Sequence, residues 1–197
     1  MDLWAARLER PLTESETAVL LERLPSRRRE RLLRTDRTAW REPLCAYALL
    51  TLALRTRMGW DVLPQMAWSD RGKPFFPAHP EVCFSLSHTN GAVLAGVSVA
   101  PVGVDIEFDR PVGRRTMERL AGTADRAEFL RWWVRREAAA KRDGAGVAAV
   151  LRTEPILPPG VGYRPLEGFR DYYAGVCAEE AELSAVVRQC SVEELSR

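Results

Sequence analysis

The middle of the chain constrains the fold more than any other part. Three short runs rich in β-branched residues, 82–87, 92–99 and 102–107, follow one another with only Thr89-Asn90-Gly91 and Ala100-Pro101 as turns between them. Such spacing predicts an antiparallel meander. Long helical patterns stand on either side. One covers 44–58, with Pro43 in its first turn and Gly59 after its last. The other covers 124–141, with Thr123 as cap and Gly144 and Gly146 closing it. Further out the chain reads as a strand at 3–8 and a helix at 14–24, opened by a Thr13/Glu16 capping box and stopped by Pro25. A very basic helical stretch at 27–37 and a loop with one short strand over 61–80 come next, and the tail carries strands at 172–178 and 183–187. Helix-then-strands followed by strand-helix-strands predicts an α+β fold in two similar halves, 1–100 and 101–197.

Composition narrows the classes of function. The 197 residues carry a net charge of +2, with 46% hydrophobic and 28% charged residues, which describes a folded protein with a sizeable core. A near-neutral balance makes no global case for a nucleic-acid or membrane surface. The longest apolar run, 44–54, is far short of the roughly 20 residues that span a bilayer. Asp2, Arg7, Glu9 and Arg10 stand where a signal peptide needs an apolar core, so a cytoplasmic location is expected. Cys45, Cys83, Cys177 and Cys190 form no C-x-x-C pair and read as ordinary reduced thiols, not a zinc site. Of the 29 basic residues only Lys73 and Lys141 are lysines. A compact ammonium is not interchangeable with a planar guanidinium, and both lysines fall in the segments singled out next.

The 102–107 strand is the sharpest local signal. Alternation puts Val102, Val104 and Ile106 on a core face and Gly103, Asp105 and Glu107 on the other. Two carboxylates about 7 Å apart along a strand repel unless a cation lies near them, and oxygen ligands suit Mg²⁺. Gly103 lets something approach closely. The plain alternative is a solvated strand edge. On the second long helix, Trp133, Glu137 and Lys141 fall on one stripe beside small alanines. As a surface i,i+4 pair, Glu137 and Lys141 would contribute only about 0.3–0.5 kcal/mol, but Trp133 argues that the face is covered. Ser87 and His88 end a strand before a glycine turn, with no nucleophile elbow. Gly72-Lys73-Pro74 is a stiff turn presenting a lysine, not a P-loop.

In combination these segments resemble the 4′-phosphopantetheinyl transferases of the surfactin-synthetase-activating type. Gly72-Lys73-Pro74, Phe84-Ser-Leu-Ser-His88, Val102-Gly-Val-Asp-Ile-Glu107 and Trp133-x-x-Arg-Glu-Ala-x-x-Lys-x-x-Gly-x-Gly146 occur in that order. Glu9-Arg-Pro-Leu-Thr13, the basic helix and Arg41 before a long apolar helix are similar to that family's first half. The resemblance covers roughly residues 8–146, with a fainter echo at 172–178.

The resemblance implies two similar subdomains related by a pseudo-twofold, with coenzyme A between them. It implies transfer of phosphopantetheine from coenzyme A to a serine of an apo acyl or peptidyl carrier protein, releasing 3′,5′-ADP, as a holo-carrier-protein synthase of the kind that serves secondary-metabolite biosynthesis. Asp105, Glu107 and Glu137 would hold Mg²⁺, with Glu137 alternatively the base toward the serine. Lys141 would steady the pyrophosphate, and Arg41, Lys73, Ser87 and His88 would bind the nucleotide. The enzyme would act as a monomer, without nucleic acid or membrane. Three departures stand out: Arg136 replaces the usual lysine before the glutamate, the 107–137 stretch where the carrier would dock is short, and the Arg27–Arg31 cluster matches loosely. Glu118 and Glu128 are both candidates for an extra acidic position. The alternatives are a catalytically impaired coenzyme A-binding protein of the same fold and, from the basic 27–37 helix, a nucleic-acid-binding module.

Overall fold

The computed structural model describes residues 1–146, 151 and 156–196. In chain order its elements are β1 (Asp2–Arg7), α1 (Glu14–Glu22), α2 (Ser26–Leu32), α3 (Arg41–Met58), β2 (Ala67–Trp68), β3 (Pro74–Phe75), β4 (Cys83–Thr89), β5 (Ala92–Ser98), β6 (Gly103–Phe108), α4 (Arg114–Ala121), α5 (Arg126–Asp143), β7 (Val161–Leu166), β8 (Tyr172–Glu179), β9 (Val187–Cys190) and α6 (Val192–Leu195). Short 3₁₀ turns lie at Arg37–Ala39 and Glu180–Glu182.

One sheet has the order β4-β5-β1-β9 and another β6-β8-β7. The expected meander therefore holds for β4 and β5 alone. The second edge of β5 is taken by β1, antiparallel, with Leu3 opposite Gly96, so β6 leaves that sheet and pairs with β8. A strand has only two edges, and local pattern cannot say that the first strand of the chain will occupy one of them.

One core lies between the first sheet and α3, where Leu44, Leu49, Leu50 and Leu54 are buried against Phe76, Phe84 and Val97. A second core lies between the sheets, joining Leu3, Ala5 and Leu94 to Val102, Val104, Ile106 and Val176. The tail returns to the first half: β9 pairs parallel with β1, and Val192 and Leu195 join the α3 core. The division at residue 100 thus leaves the last elements on the other side of the molecule, and the tail strand lies at 187–190 in place of 183–187. The sequence reading did not anticipate α4 or β7; in β7 Gly162 and Pro165 interrupt the strand pattern.

Local chemistry accounts for the helix ends. Thr13 and Glu16 form the expected capping box at α1. Asp125, not Thr123, caps α5 by accepting from the Glu128 amide, while the Thr123 hydroxyl donates to Glu128. Gly59 and Gly144 end α3 and α5 in the left-handed conformation. Against β6, α5 packs so closely that a Cβ on Gly103 would sit 1.9 Å from the Ala138 carbonyl oxygen. The approach that Gly103 allows is thus that of a helix backbone. All four cysteines are free, and no helix among the described residues is long and apolar enough to cross a membrane.

Candidate active site

Elements of both halves converge on a cleft of about 340 Å³. From α2 come Arg27, Arg28 and Arg31; from α3, Tyr47; from the β2–β3 region, Trp68, Arg71 and Gly72-Lys73-Pro74. The even-numbered face of β4 adds Phe84, Leu86 and His88, and α5 adds Glu137, Lys141 and Gly144. The basic helix is therefore not a uniformly solvated face. Arg27 lies over the Trp68 ring at 4.9 Å and Arg28 over Tyr47 at 5.9 Å, and the buried Nε of Arg28 has no hydrogen-bond partner among the described residues. One wall is thus cationic and aromatic.

At the floor, Lys141 Nζ donates to Asp105 Oδ1 at 2.6 Å and to Ser87 Oγ at 2.9 Å. Ser87 in turn donates to the same Asp105 oxygen at 2.8 Å. Asp105 is 3% exposed, so it is no solvated strand edge. Its other oxygen, Oδ2, is buried with no hydrogen-bond partner among the described residues. An unpartnered carboxylate oxygen in a dry site is costly. Glu137 is also buried, and Lys141 reaches across to β6, so a plain surface pair along the helix is excluded.

The three acids share one field. Burial pushes the Glu107 carboxyl up; Asp105 and Glu137 add to the rise, while Arg110 and Lys141 oppose it. Burial also raises Glu137, with Lys141 opposing and Asp105 reinforcing. Among the described residues no three His, Cys, Asp or Glu side chains gather into a set able to hold a metal ion unaided. The orphaned Asp105 oxygen beside two carboxyls that burial and Asp105 push up nevertheless fits a hard divalent cation that takes its remaining ligands from phosphate and water.

The other expected residues are distributed unevenly. His88 lines the cleft with its ring still open to solvent; the protein atoms packed around it and the charges of Arg28 and Lys141 push its imidazole down to about 4. Lys73 Nζ donates to the Arg142 carbonyl at the end of α5, at 2.6 Å, and burial lowers its ammonium. Arg41 lies outside the cleft lining, paired with Glu42 at 2.7 Å. Arg136 is buried with its guanidinium over Trp132 at 4.7 Å. Glu118 is held by Arg114 and Glu128 by Thr123.

Sequence reasoning missed Tyr47, Trp68 and Arg71 as wall residues. Tyr47 sits inside the apolar pattern of α3 and reads as core. Trp68 did carry a signal, as an aromatic residue shortly before the Gly-Lys-Pro turn.

No protein-family model matches the chain. It is 31% identical to the 4′-phosphopantetheinyl transferase AcpT of Salmonella typhi, over 62% of this chain and 67% of that protein. It is 22% identical to a 4′-phosphopantetheinyl transferase of Bacillus subtilis over 99% of this chain and all of that one. With the 4′-phosphopantetheinyl transferase Sfp of Bacillus subtilis strain 168 it shares 21% identity over 77% of this chain and 74% of that one.

Proposed function

This chain belongs to the 4′-phosphopantetheinyl transferases, and on that premise we propose that it moves phosphopantetheine from coenzyme A to a serine of an apo acyl or peptidyl carrier protein. The observation that carries this reading is the Asp105 carboxylate, one oxygen bound by Lys141 and Ser87 and the other left unpartnered beneath a cationic cleft. Asp105 and Glu107 would hold Mg²⁺, with phosphate and water as its remaining ligands. When bound, it neutralises the pyrophosphate of coenzyme A. Glu137, destabilised as a carboxylate, takes the proton of the carrier serine. The serine oxygen then forms its bond to the β-phosphorus as the bond from that phosphorus to the bridging oxygen breaks, and 3′,5′-ADP leaves. Lys141 stabilises the charge that gathers on the leaving phosphate. Positioning and charge neutralisation supply most of such a rate enhancement.

Arg27, Arg28, Arg31, Lys73 and His88, which line the cleft, bind the nucleotide part, including its 3′-phosphate, whereas Arg41 stays with Glu42 outside that lining and Ser87 with Lys141 and Asp105 beneath it. The carrier docks over the 107–137 segment, where Met117 and Phe129 pack beneath Leu120, Trp132 and Trp133. A pseudo-twofold relates the halves; the pattern supporting it is a strand, an 18-residue helix and an antiparallel hairpin in each. The enzyme works as a monomer, since one chain supplies both sides of the cleft.

Mass spectrometry of apo-carrier proteins incubated with coenzyme A and Mg²⁺ tests the reading. One phosphopantetheine should be added to the carrier and 3′,5′-ADP released. Carriers of all three kinds, fatty-acid, polyketide and nonribosomal peptide, left unmodified would overturn it.

A further inference from the structure

Strand β6 closes one side of its sheet, with β8 along one edge only. Alternate amides of a strand point to opposite edges, so every second N–H of β6 needs a partner from outside the sheet. Side chains of β4 provide it. The amide of Val104 donates to Ser85 Oγ at 3.0 Å, that of Ile106 to Ser87 Oγ at 3.2 Å, and that of Phe108 to Thr89 Oγ1 at 3.2 Å. Both strands advance by two residues per rung, so β4 and β6 run parallel with matched rise, and hydroxyls stand where a neighbouring backbone would present carbonyls.

The middle rung is also part of the site, since Ser87 meets both Lys141 and Asp105. A slip of one rung would bring Ser87 to Val104 or Phe108 and carry Asp105 away from Lys141. A slip of one residue would turn Asp105 onto the core face. The rungs oppose both: a one-residue slip breaks all three bonds, and a one-rung slip leaves one hydroxyl and one amide at the ends without their partners. We infer that Ser85 and Thr89 are positioning residues, which hold the carboxylate strand in the one register that brings Asp105 and Glu107 to the cleft. Backbone ladders are fixed by the chain; a hydroxyl rung depends on one rotatable bond and disappears with one oxygen atom. Three side chains therefore help to set the register at this seam, beside the β6–β8 ladder and the contact of Gly103 with α5.

The inference rests on the proposed metal role of Asp105 and Glu107, and its test reads metal binding as well as turnover. Thr89 lies outside the cleft lining, whereas Ser85 borders it, so Thr89 provides the cleaner variant. Thr89→Val removes the acceptor at nearly constant volume, Thr89→Ser keeps it, and Ser85→Ala removes the other outer rung. For each, Mn²⁺ affinity would be measured by electron paramagnetic resonance in the presence of coenzyme A without carrier, alongside transfer kinetics and the melting temperature. A misplacement of about 1 Å at such a site costs on the order of a hundredfold in rate. Thr89→Val and Ser85→Ala should accordingly weaken Mn²⁺ binding and lower kcat by roughly tenfold or more. Thr89→Ser should restore both. Wild-type Mn²⁺ affinity and kcat in Thr89→Val, with only a lower melting temperature, would show the hydroxyls to be merely structural and overturn the inference. Thr89→Ser behaving like Thr89→Val would do the same. If the wild type binds Mn²⁺ with coenzyme A yet modifies no carrier, the transfer reading fails and the Mn²⁺ series still decides the role of the ladder. If that complex binds no Mn²⁺, the metal reading fails and the inference falls with it.

Discussion

The helices α3 and α5 are the same length, 18 residues, and end on the same left-handed glycine, but they bury different things. Helix α3 fills its core with leucines, and its one acid, the partly buried Glu42, is held through Oε1. Burial would raise Glu42, yet hydrogen bonds from Arg41 and from the Gly91 amide outweigh it and hold that carboxyl below its ordinary range. Helix α5 buries Arg136 and Glu137 beside three alanines, and burial together with Asp105 leaves Glu137 raised. A partly buried carboxylate held by an arginine and a backbone amide keeps a turn in place. One left destabilised beside a second buried acid is available for chemistry.

The sharpest way to break this contrast is to treat the two glutamates alike. Glu137→Gln should lower kcat by about 10²- to 10³-fold without lowering the melting temperature. Glu42→Gln should keep transfer within about threefold and lose about 1–3 kcal/mol of stability through its hydrogen bonds to Arg41 and Gly91, read by denaturant unfolding. The reverse pattern would end the distinction.

Lys141→Arg comes next in expected size. Its charge would remain, but a planar fork does not fit the space of an ammonium between Asp105 and Ser87. Turnover at saturating coenzyme A should fall about a hundredfold, and steady-state rates at wild-type level would leave Lys141 a structural partner of Asp105 and Ser87.

Lys73 separates charge from donation. Its loop position predicts an effect mainly on coenzyme A affinity; its bond to the Arg142 carbonyl adds a tether on α5. Lys73→Gln, which can still donate, should raise KM for coenzyme A with kcat little changed. Lys73→Met should raise KM and also lower kcat, by about tenfold. Equal kcat in the two variants would remove the tether.

The smallest effect concerns the thiols. Burial pushes Cys45 and Cys190 up to about 12 and Cys177 to about 11, so all three stay protonated at pH 8 in either half. Cys83, only partly buried, should be the first residue alkylated by iodoacetamide, as read by peptide mapping. Early labelling of Cys45 would contradict the packing of α3.

Much of this protein is legible in its sequence because the signals are local. The Thr13/Glu16 capping box, the glycines after α3 and α5, the β4–β5 turn at Asn90-Gly91 and the alternation through Asp105 and Glu107 each depend on neighbours a few residues away. Rarity marked Lys73 and Lys141, and both came to line the cleft. The carboxylate pair also read correctly as facing away from Val104 and Ile106.

Tertiary structure decided what faces what. No local pattern shows that β1 takes the second edge of β5, that β9 and α6 return to the first core, or that the partner of Gly103 is the backbone of α5. Nor does periodicity reveal that Lys141 turns from its helix neighbour Glu137 to Asp105 on another element. The reason is physical. Propensities, caps and turns are energies of adjacent residues, whereas strand edges, orphaned oxygens and burial are fixed only when distant segments compete for the same space and the same hydrogen bonds.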